Sequence, residues 1–223
     1  MNIVFFDIDG TLINTGGAGK DAMITAVQKQ SGKEDFPANL LVSGRSDRGI
    51  GRELFERHGI SETDENWEAF IGLYLSQLRE NLPQRPGRVL PGVRPLVESL
   101  HARKDVLLGL ITGNVRASAE LKLRHFELWD FFHFGGYGDH HADRDEIARD
   151  AITSADQHAN GNLVPERVCV IGDTPNDVKC ARAIGATAIA VATGVFSVDQ
   201  LSPAKPDVLL ADLSQTDAIL SLL

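Results

Sequence analysis

The chain has 223 residues, of which 43% are apolar, and it carries a formal net charge of −9. A chain of this length can bury a full hydrophobic core and leave room for a second small unit, so we expect one or two domains. The negative charge argues against a nucleic-acid surface or an anionic membrane as a partner, because both would repel the protein. Small anions can still be bound locally.

The two cysteines predict a reducing environment rather than a disulfide framework. Cys169 lies in an apolar run and Cys180 in a predicted helix, which suits small buried side chains. The first predicted strand begins at residue 2, without a preceding basic segment or long apolar stretch, so we expect neither a signal peptide nor a membrane span. Together these features predict a cytoplasmic protein.

The first predicted strand ends in two carboxylates. Residues 3–6 are four consecutive apolar residues, which is typical of a strand buried on both faces, and Asp7 and Asp9 follow directly. In an open α/β sheet, ligands bind at the carboxyl ends of the strands. We therefore expect Asp7 and Asp9 to lie in a functional site, although this short motif alone would also fit the start of a solvated turn.

Residues 14–85 are predicted to form an inserted all-α cap. The next clear strand begins only at Val106, so about 70 residues exceed what a parallel crossover requires. Three groups of apolar side chains recur at helical spacing, and each is followed by a helix-breaking residue: Gly32, Gly59 and Pro83. Glycine- and proline-rich hinges bound the cap, and the core comprises residues 1–13 and 86–223.

Beyond the cap, predicted strands and helices alternate. The predicted strands cover residues 106–111, 131–134, 168–171, 187–191 and 207–210. Helices are predicted to begin near residues 91, 115, 144 and 175. This alternation specifies an α/β fold with a Rossmann-like, doubly wound, mainly parallel sheet and helices on both faces.

The strand at 106–111 is followed by Thr112, Gly113 and Asn114. A hydroxyl and free backbone amides at the start of a helix can cradle phosphate oxygens. Threonine and asparagine are also common helix caps, so the motif alone leaves that alternative open.

The strand at 168–171 is followed by Asp173 and Asp177, four residues apart at a strand-to-helix turn. One carboxylate can meet a cation directly while the other supports it from the next turn. Acids in a first helical turn also complement the helix dipole, which is the alternative for this motif alone. Three strands expected to lie side by side nevertheless each end in acids or phosphate-type donors, and this joint pattern favours one shared site.

The motifs together resemble the haloacid dehalogenase superfamily of Mg²⁺-dependent phosphatases, in particular its phosphoglycolate-phosphatase-like branch. The resemblance extends over nearly the whole chain and rests on Asp7-x-Asp9-Gly10-Thr11, Pro91-Gly92-Val93, Thr112-Gly113-Asn114 and Gly172-Asp173-Thr174-Pro175-x-Asp177. A helical cap inserted after the first motif belongs to the same pattern. The resemblance implies that the cap is mobile and closes over the site, and that the substrate is a small phosphate ester.

The residue chemistry favours the same cofactor. A phosphate dianion repels a carboxylate nucleophile unless cations neutralise both, so Mg²⁺ is expected. Mg²⁺ prefers an octahedral shell of oxygen ligands. We predict that Asp7, the backbone carbonyl of Asp9 and Asp173 supply these ligands, with Asp177 in support behind them.

The predicted reaction passes through an aspartyl-phosphate. Asp7 would attack phosphorus, and Asp9 would protonate the leaving alcohol and then accept a proton from the hydrolytic water. Thr112 and the backbone amides of Gly113 would hold the equatorial phosphate oxygens. The full set of predicted substrate-binding residues is Gly10, Thr11, Gly113, Asn114, Arg45 and Lys20.

One position departs from the family pattern. A lysine normally follows the third strand, but residues 138–146 contain none, and Arg144 is the candidate replacement. Arginine keeps the charge and can bind two phosphate oxygens, although its planar fork is not equivalent to an ammonium group. The alternative is a surface arginine paired with Asp145 or Glu146, in which case weak or absent turnover is expected.

Two cap residues are candidate substrate contacts. The run from Ser43 to Asp47 resembles a segment that reaches over the active site in related phosphatases, and its Arg45 could contact a carboxylate such as that of phosphoglycolate. A solvated loop arginine is the alternative. Lys20 ends a glycine-rich run that fails the P-loop pattern. We interpret this run as a hinge that enters the first cap helix, and we expect Lys20 to lie near the substrate.

The sequence therefore predicts a Mg²⁺-dependent phosphomonoester hydrolase. A phosphosugar mutase on the same scaffold stays open, as does a non-catalytic phosphate-binding or regulatory module. A dehalogenase is less expected, because Asp9 serves an acid–base step that halide departure does not require. The sequence does not distinguish a monomer from a dimer.

Overall fold

The computed structural model of the protein describes residues 1–34 and 40–221. Its strands are β1 (Asn2–Phe6), β2 (Ile13–Asn14), β3 (Arg88–Val89), β4 (Val106–Ile111), β5 (Phe134–Gly136), β6 (Arg167–Gly172), β7 (Thr187–Val191) and β8 (Val208–Leu210). Its α-helices are α1 (Ala18–Ser31), α2 (Asp47–His58), α3 (Asp64–Asn81), α4 (Val93–His101), α5 (Arg116–His125), α6 (Arg144–His158), α7 (Pro175–Ala183), α8 (Val198–Leu201) and α9 (Thr216–Leu220).

The main sheet has six parallel strands in the order β5-β4-β1-β6-β7-β8. Side chains of β1 alternate between its two faces: Val4 and Phe6 join one buried cluster with α4 and α5, and Ile3 and Phe5 join another with α6 and α7. Every residue of β1 is buried, as expected for the central strand of a sheet covered on both faces. The predicted α/β fold class is confirmed.

The helices α1, α2 and α3 pack around a third apolar cluster, which includes the aromatic side chains of Phe55, Phe70 and Tyr74. The predicted helical spacing of apolar residues is thus confirmed for all three helices. The chain enters and leaves this unit through the antiparallel pair of β2 and β3. That residues 14–85 form a separate cap domain stays a prediction, and residues 35–39 of that range lie outside the described residues.

One predicted strand is wrong. Residues 129–131 form a 3₁₀ turn, and the strand expected at 131–134 begins only at Phe134 and runs to Gly136. Glycine normally indicates a turn, but Gly136 lets helix α6 approach the strand, because a Cβ there would lie 1.9 Å from the carbonyl oxygen of Ile147. The other predicted core strands agree with the structure to within one residue at each end.

The two cysteines, Cys169 and Cys180, are buried and free, as predicted. Among the described residues, no helix is both long enough and apolar enough to cross a membrane.

Candidate active site

The carboxyl ends of three adjacent strands form the site. Asp7 follows β1, Thr112 follows β4 and Asp173 follows β6, and β1 lies between the other two strands. Because all three strands are parallel, these residues lie at the same edge of the sheet. The predicted side-by-side arrangement of the motif-bearing strands is therefore present.

Three carboxylates meet at this edge. Asp7, Asp173 and Asp177 can each offer one carboxylate oxygen so that the three atoms lie within 4.8 Å of one another, and all three residues are buried. Burial, followed by repulsion from Asp177 and Asp7, raises the pKa of Asp173, and burial likewise raises the pKa of Asp7. The cluster therefore favours a bound cation, which would offset both the repulsion and the burial of charge.

Two glycines shape the position of Asp173. A Cβ on Gly10 would lie 2.4 Å from Asp173 Oδ2, and a Cβ on Gly194 would lie only 1.7 Å from the same atom. The hydroxyl of Thr11 donates to Asp173 Oδ1 at 3.2 Å, and that of Thr193 donates to the carbonyl of Gly10 at 2.6 Å. The carboxylate is therefore held in a slot that only glycine at positions 10 and 194 leaves open.

Gly194→Ala is expected to displace the carboxylate of Asp173 and to weaken divalent-metal binding at least about tenfold, the scale seen when residues supporting metal ligands are changed. Thermal unfolding across a Mg²⁺ titration measures this affinity. Gly72→Ala, in helix α3 where an added Cβ meets nothing within 4 Å, is the control and should leave metal binding unchanged. Equal metal affinity in wild type and Gly194→Ala would contradict the slot.

Arg144 lies among the site carboxylates. Its side chain is 7% exposed, and its Nη2 donates to Asp177 Oδ1 at 2.6 Å and lies 3.6 Å from Asp7 Oδ1. Burial opposes its charge, but the carboxylates of Asp177 and Asp7 more than offset this and raise the pKa of the guanidinium. Arg144 is thus not the surface arginine of the alternative, whereas its replacement of the family lysine stays a prediction.

Asp177 supports the cluster from behind. Its Oδ2 accepts from the backbone amide of Thr174 at 2.9 Å and from the Thr174 hydroxyl at 2.6 Å, while its Oδ1 accepts from Arg144. These bonds also cap the start of α7. Asp177 therefore fixes Arg144 and shares the negative charge of the cluster, and its support of a bound metal stays a prediction.

Asp9 is not a member of the three-carboxylate cluster formed by the described residues. Its Oδ2 accepts from Lys122 Nζ at 2.6 Å and from Asn114 Nδ2 at 2.9 Å. The side chain is 41% exposed and lines a cavity that also reaches Asp7 and Asp173. The Asp9 side chain is thus separate from the carboxylate cluster, and the contribution of its backbone carbonyl to a metal shell stays a prediction.

The Thr112 motif lies against the helical unit. Thr112 is fully buried, and its Oγ1 accepts from the backbone amide and side chain of Asn114 at 3.3 and 2.8 Å. A Cβ on Gly113 would lie 2.2 Å from the carbonyl oxygen of Arg45, so the helical unit approaches closely here. Gly113 and Asn114 line the cavity, whereas the buried Thr112 is not among its described lining residues.

A cavity of about 340 Å³ lies between the sheet edge and the helical unit. Gly10, Lys20 and Arg45, three predicted substrate contacts, line it. The guanidinium of Arg45 is already occupied, because it donates to Glu53 at 2.5 Å and to the carbonyls of Leu41 and Gly49 at 3.0 Å. Thr11 instead contacts Asp173 and is fully buried. Substrate contacts by these residues stay predictions.

Sequence reasoning missed Lys122 and Tyr74 as site residues and named Asp47 only as the end of the run from Ser43; all three line the cavity. Asp47 at the start of α2 accepts from the backbone amide of Val115 at 2.9 Å and from the Ser118 hydroxyl at 3.1 Å, tying the helical unit to α5. Burial raises the pKa of Asp47 to about 6, with Lys122 opposing the shift. One available signal was the four-residue spacing of Ser118 and Lys122, which places two polar residues on one face of α5.

The chain is similar to proteins named as phosphatases and hydrolases. A family model described as Haloacid dehalogenase-like hydrolase matches residues 4–191. A probable phosphatase, IndB, of Dickeya dadantii is 32% identical, with 96% of this chain and 90% of that protein covered. A phosphoglycolate phosphatase of Aliivibrio fischeri is 22% identical, with 100% of this chain and 97% of that protein covered. The crystal structure of CbbY from Rhodobacter sphaeroides in complex with phosphate shares the fold, with a TM-score of 0.71, 18% identity and coverage of 96% and 95%.

Proposed function

The chain belongs to the haloacid dehalogenase-like hydrolases, and from this premise we propose that it is a Mg²⁺-dependent phosphatase of small phosphate monoesters. The observation that carries the proposal is the meeting of Asp7, Asp173 and Asp177 at one sheet edge, beside Arg144 and under a cavity. A cavity of about 340 Å³ suits a small metabolite rather than a polymer.

The three carboxylates fit a hard divalent cation. They present only oxygen donors, and their mutual repulsion with burial favours an added positive charge. We propose that Asp7 and Asp173 hold Mg²⁺ with the backbone carbonyl of Asp9, while Asp177 remains engaged by Thr174 and Arg144. When bound, Mg²⁺ would neutralise charge on the phosphate and on the nucleophile.

Asp7 is the proposed nucleophile. Its carboxylate lies at the carboxyl end of the central strand and lines the cavity, so a phosphate ester could approach it. Attack forms a bond from a carboxylate oxygen to phosphorus and breaks the bond from phosphorus to the leaving alcohol. Arg144, with Nη2 3.6 Å from Asp7 Oδ1, would stabilise the phosphoryl oxygens, where negative charge accumulates.

Asp9 is the proposed general acid and base. It lines the same cavity as Asp7, and we propose that it lies on the leaving-group side of the phosphorus. Asp9 gives its proton to the departing alcohol and then removes a proton from the water that hydrolyses the aspartyl-phosphate. Backbone amides at Gly113 would bind the remaining phosphate oxygens.

The helical unit would close the site and select the leaving group. Its residues Met23, Val42 and Ile50 supply apolar walls to the cavity, and Lys20 supplies a positive charge. Closure excludes water from the transferring phosphoryl group, which strengthens the electrostatic interactions within the site. We propose that residues 14–85 are the cap that performs this closure.

Phosphate release from a panel of phosphate monoesters tests the proposal. We expect turnover with Mg²⁺, loss of turnover in EDTA and recovery on adding excess Mg²⁺. Asp173→Asn should lose turnover at all Mg²⁺ concentrations that support the wild type. Absence of metal-dependent turnover across the panel would favour a phosphate-binding module instead, and transfer of phosphate between positions of a sugar would favour a mutase.

Mg²⁺ is also expected to stabilise the fold, because it binds the native carboxylate cluster and not the unfolded chain. At 100 times its dissociation constant the gain is about 2.7 kcal/mol, which for a chain of this size raises the melting temperature by roughly 5–10 °C. Differential scanning calorimetry in Mg²⁺ and in EDTA measures the shift. An equal shift in Asp173→Asn would show that Mg²⁺ binds elsewhere.

A further inference from the structure

Lys122 is a buried lysine that contacts Asp9, the proposed general acid and base. Its side chain is 5% exposed, and its Nζ donates to Asp9 Oδ2 and to Asn114 Oδ1, both at 2.6 Å. Lysine is rarely so buried unless it is paired. Both partners of Nζ are oxygen acceptors, one of them a carboxylate, which suits an ammonium group because it can only donate.

The bond from Lys122 also orients Asn114. Because the ammonium donates to the amide oxygen, the Nδ2 of Asn114 is turned toward Asp9 Oδ2 at 2.9 Å and Thr112 Oγ1 at 2.8 Å. Lys122 and Asn114 therefore both donate to the same oxygen of Asp9. A carboxylate oxygen has two in-plane lone-pair directions, and here two donors occupy that oxygen.

The other oxygen of Asp9 remains available. Within residues 1–34 and 40–221, no donor reaches Asp9 Oδ1, and the residue lines the cavity shared with Asp7. A proton on Asp9 must therefore reside on Oδ1, because Oδ2 already accepts from two donors. Without Lys122, Asp9 Oδ2 would lose one of its two donors, and the Asn114 oxygen would keep only the longer contact from the Ser118 hydroxyl at 3.4 Å.

We propose that Lys122 is a positioning residue for proton transfer, holding Asp9 and Asn114 so that the transferred proton is carried on Asp9 Oδ1. This inference rests on the proposed function. As the bond from phosphorus to the leaving oxygen breaks, its electron pair accepts the proton from Oδ1; in the second step Oδ1 receives a proton from water while water oxygen bonds to phosphorus and Asp7 departs.

The helical unit leaves room for this lysine at one glycine. A Cβ on Gly19 of α1 would lie 3.3 Å from Lys122 Nζ and 3.4 Å from its Cε, and 3.9 Å from the Tyr74 hydroxyl. Tyr74 is fully buried, and its hydroxyl has no hydrogen-bond partner among the described residues. Gly19→Ala therefore crowds the ammonium group without removing it, and provides a second, milder perturbation.

Two substrates with different leaving groups test the proposal. An alkyl phosphate needs a proton on its leaving oxygen, whereas p-nitrophenolate departs without one. For Lys122→Met we expect kcat/KM, which covers substrate binding and the first phosphoryl transfer but not the later hydrolysis, to fall by roughly 10²–10⁴-fold with the alkyl phosphate. This is the usual contribution of general acid catalysis. The fall with p-nitrophenyl phosphate should be at least about tenfold smaller. Gly19→Ala should show the same leaving-group dependence with a smaller loss.

A double mutant separates positioning from a purely structural role. In an Asp9→Asn background, Lys122→Met should cause no further loss of kcat/KM with the alkyl phosphate, because the group that Lys122 positions is already absent. Lys104→Met, at an exposed lysine before β4, is the control and should match the wild type. If Lys122→Met alone fails to fold, the double mutant, which removes both charges of the pair, and Gly19→Ala decide the question.

Equal losses with both substrates, or additive losses in the double mutant, would overturn the role of Lys122. Equal losses of kcat/KM with the two substrates in Gly19→Ala would independently overturn the role of Lys122. These outcomes are distinct from failure of the proposed function, which would appear as absence of Mg²⁺-dependent phosphate release in the wild-type protein.

Discussion

Asp7→Asn is expected to reduce phosphate release by roughly 10⁴-fold or more, the scale on which loss of a catalytic nucleophile acts. An amide is a poor nucleophile, so no aspartyl-phosphate can form at this position. Steady-state kinetics with Mg²⁺ and p-nitrophenyl phosphate measures the loss. Asp130→Asn, at a side chain that is 91% exposed, is the matched control and should retain full turnover. Turnover of Asp7→Asn within tenfold of wild type would exclude Asp7 as the nucleophile.

The same substitution is expected to stabilise the metal-free protein. Burial raises the pKa of Asp7 above its value in the unfolded chain, so at a pH above both values the ionised carboxylate destabilises the fold. Asparagine removes that charge, while Arg144 keeps its bond to Asp177 at 2.6 Å. In EDTA at pH 8, the melting temperature of Asp7→Asn should therefore exceed that of the wild type. A lower melting temperature would indicate that the charge of Asp7 is well compensated without metal.

Arg144→Met is expected to cause the second largest effect. It removes the cation that lies between Asp7 and Asp177, leaving buried carboxylates without compensation, which costs about 3–5 kcal/mol of folding stability. Loss of charge stabilisation at the phosphoryl group should lower kcat by about 10²–10³-fold. Kinetics and thermal unfolding in Mg²⁺ measure both effects, and Mg²⁺ should recover part of the stability.

Arg144→Lys tests whether charge or shape matters at this position. A lysine supplies the charge that the family pattern normally places here, so turnover should stay well above that of Arg144→Met. Arg149→Met, at a half-exposed arginine of the same helix, should leave turnover unchanged. An Arg144→Met protein that folds and turns over like the wild type would show that Arg144 only balances the charge of Asp177.

The fold was largely predictable because strong local signals agree with the tertiary structure. An apolar run marks β1, and helical spacing of apolar residues marks α1 to α3, so burial follows directly from pattern. The strand β5 was misplaced because Gly135 and Gly136 have no side chains to carry such a pattern. The need for glycine at 136 is set by Ile147 of α6, 11 residues later, and that at 135 by Leu110 of β4, 25 residues earlier. Neither contact is visible in the local sequence.

The site was most directly predictable where its residues follow strand ends. Asp7, Thr112 and Asp173 each follow an apolar strand, and parallel topology then brings them together. Lys122 instead contacts Asp9 across 113 residues of sequence, and its role depends on a long-range contact that no local pattern encodes. The role of Gly194 likewise depends on a long-range contact, because it is the packed position of Asp173 that excludes a larger residue there.

Rapid acid quenching during turnover, followed by borohydride reduction and peptide mapping, tests the central claim most directly. Reduction converts an acyl-phosphate into an alcohol, and so records which carboxylate was phosphorylated. The account predicts reduction at residue 7, dependent on both Mg²⁺ and substrate, and its absence in Asp173→Asn. The account would be contradicted if another carboxylate were reduced, or if the enzyme turned over while Asp7 stayed unmodified. Either result would show that no phosphorylated intermediate forms on Asp7 beside Asp173.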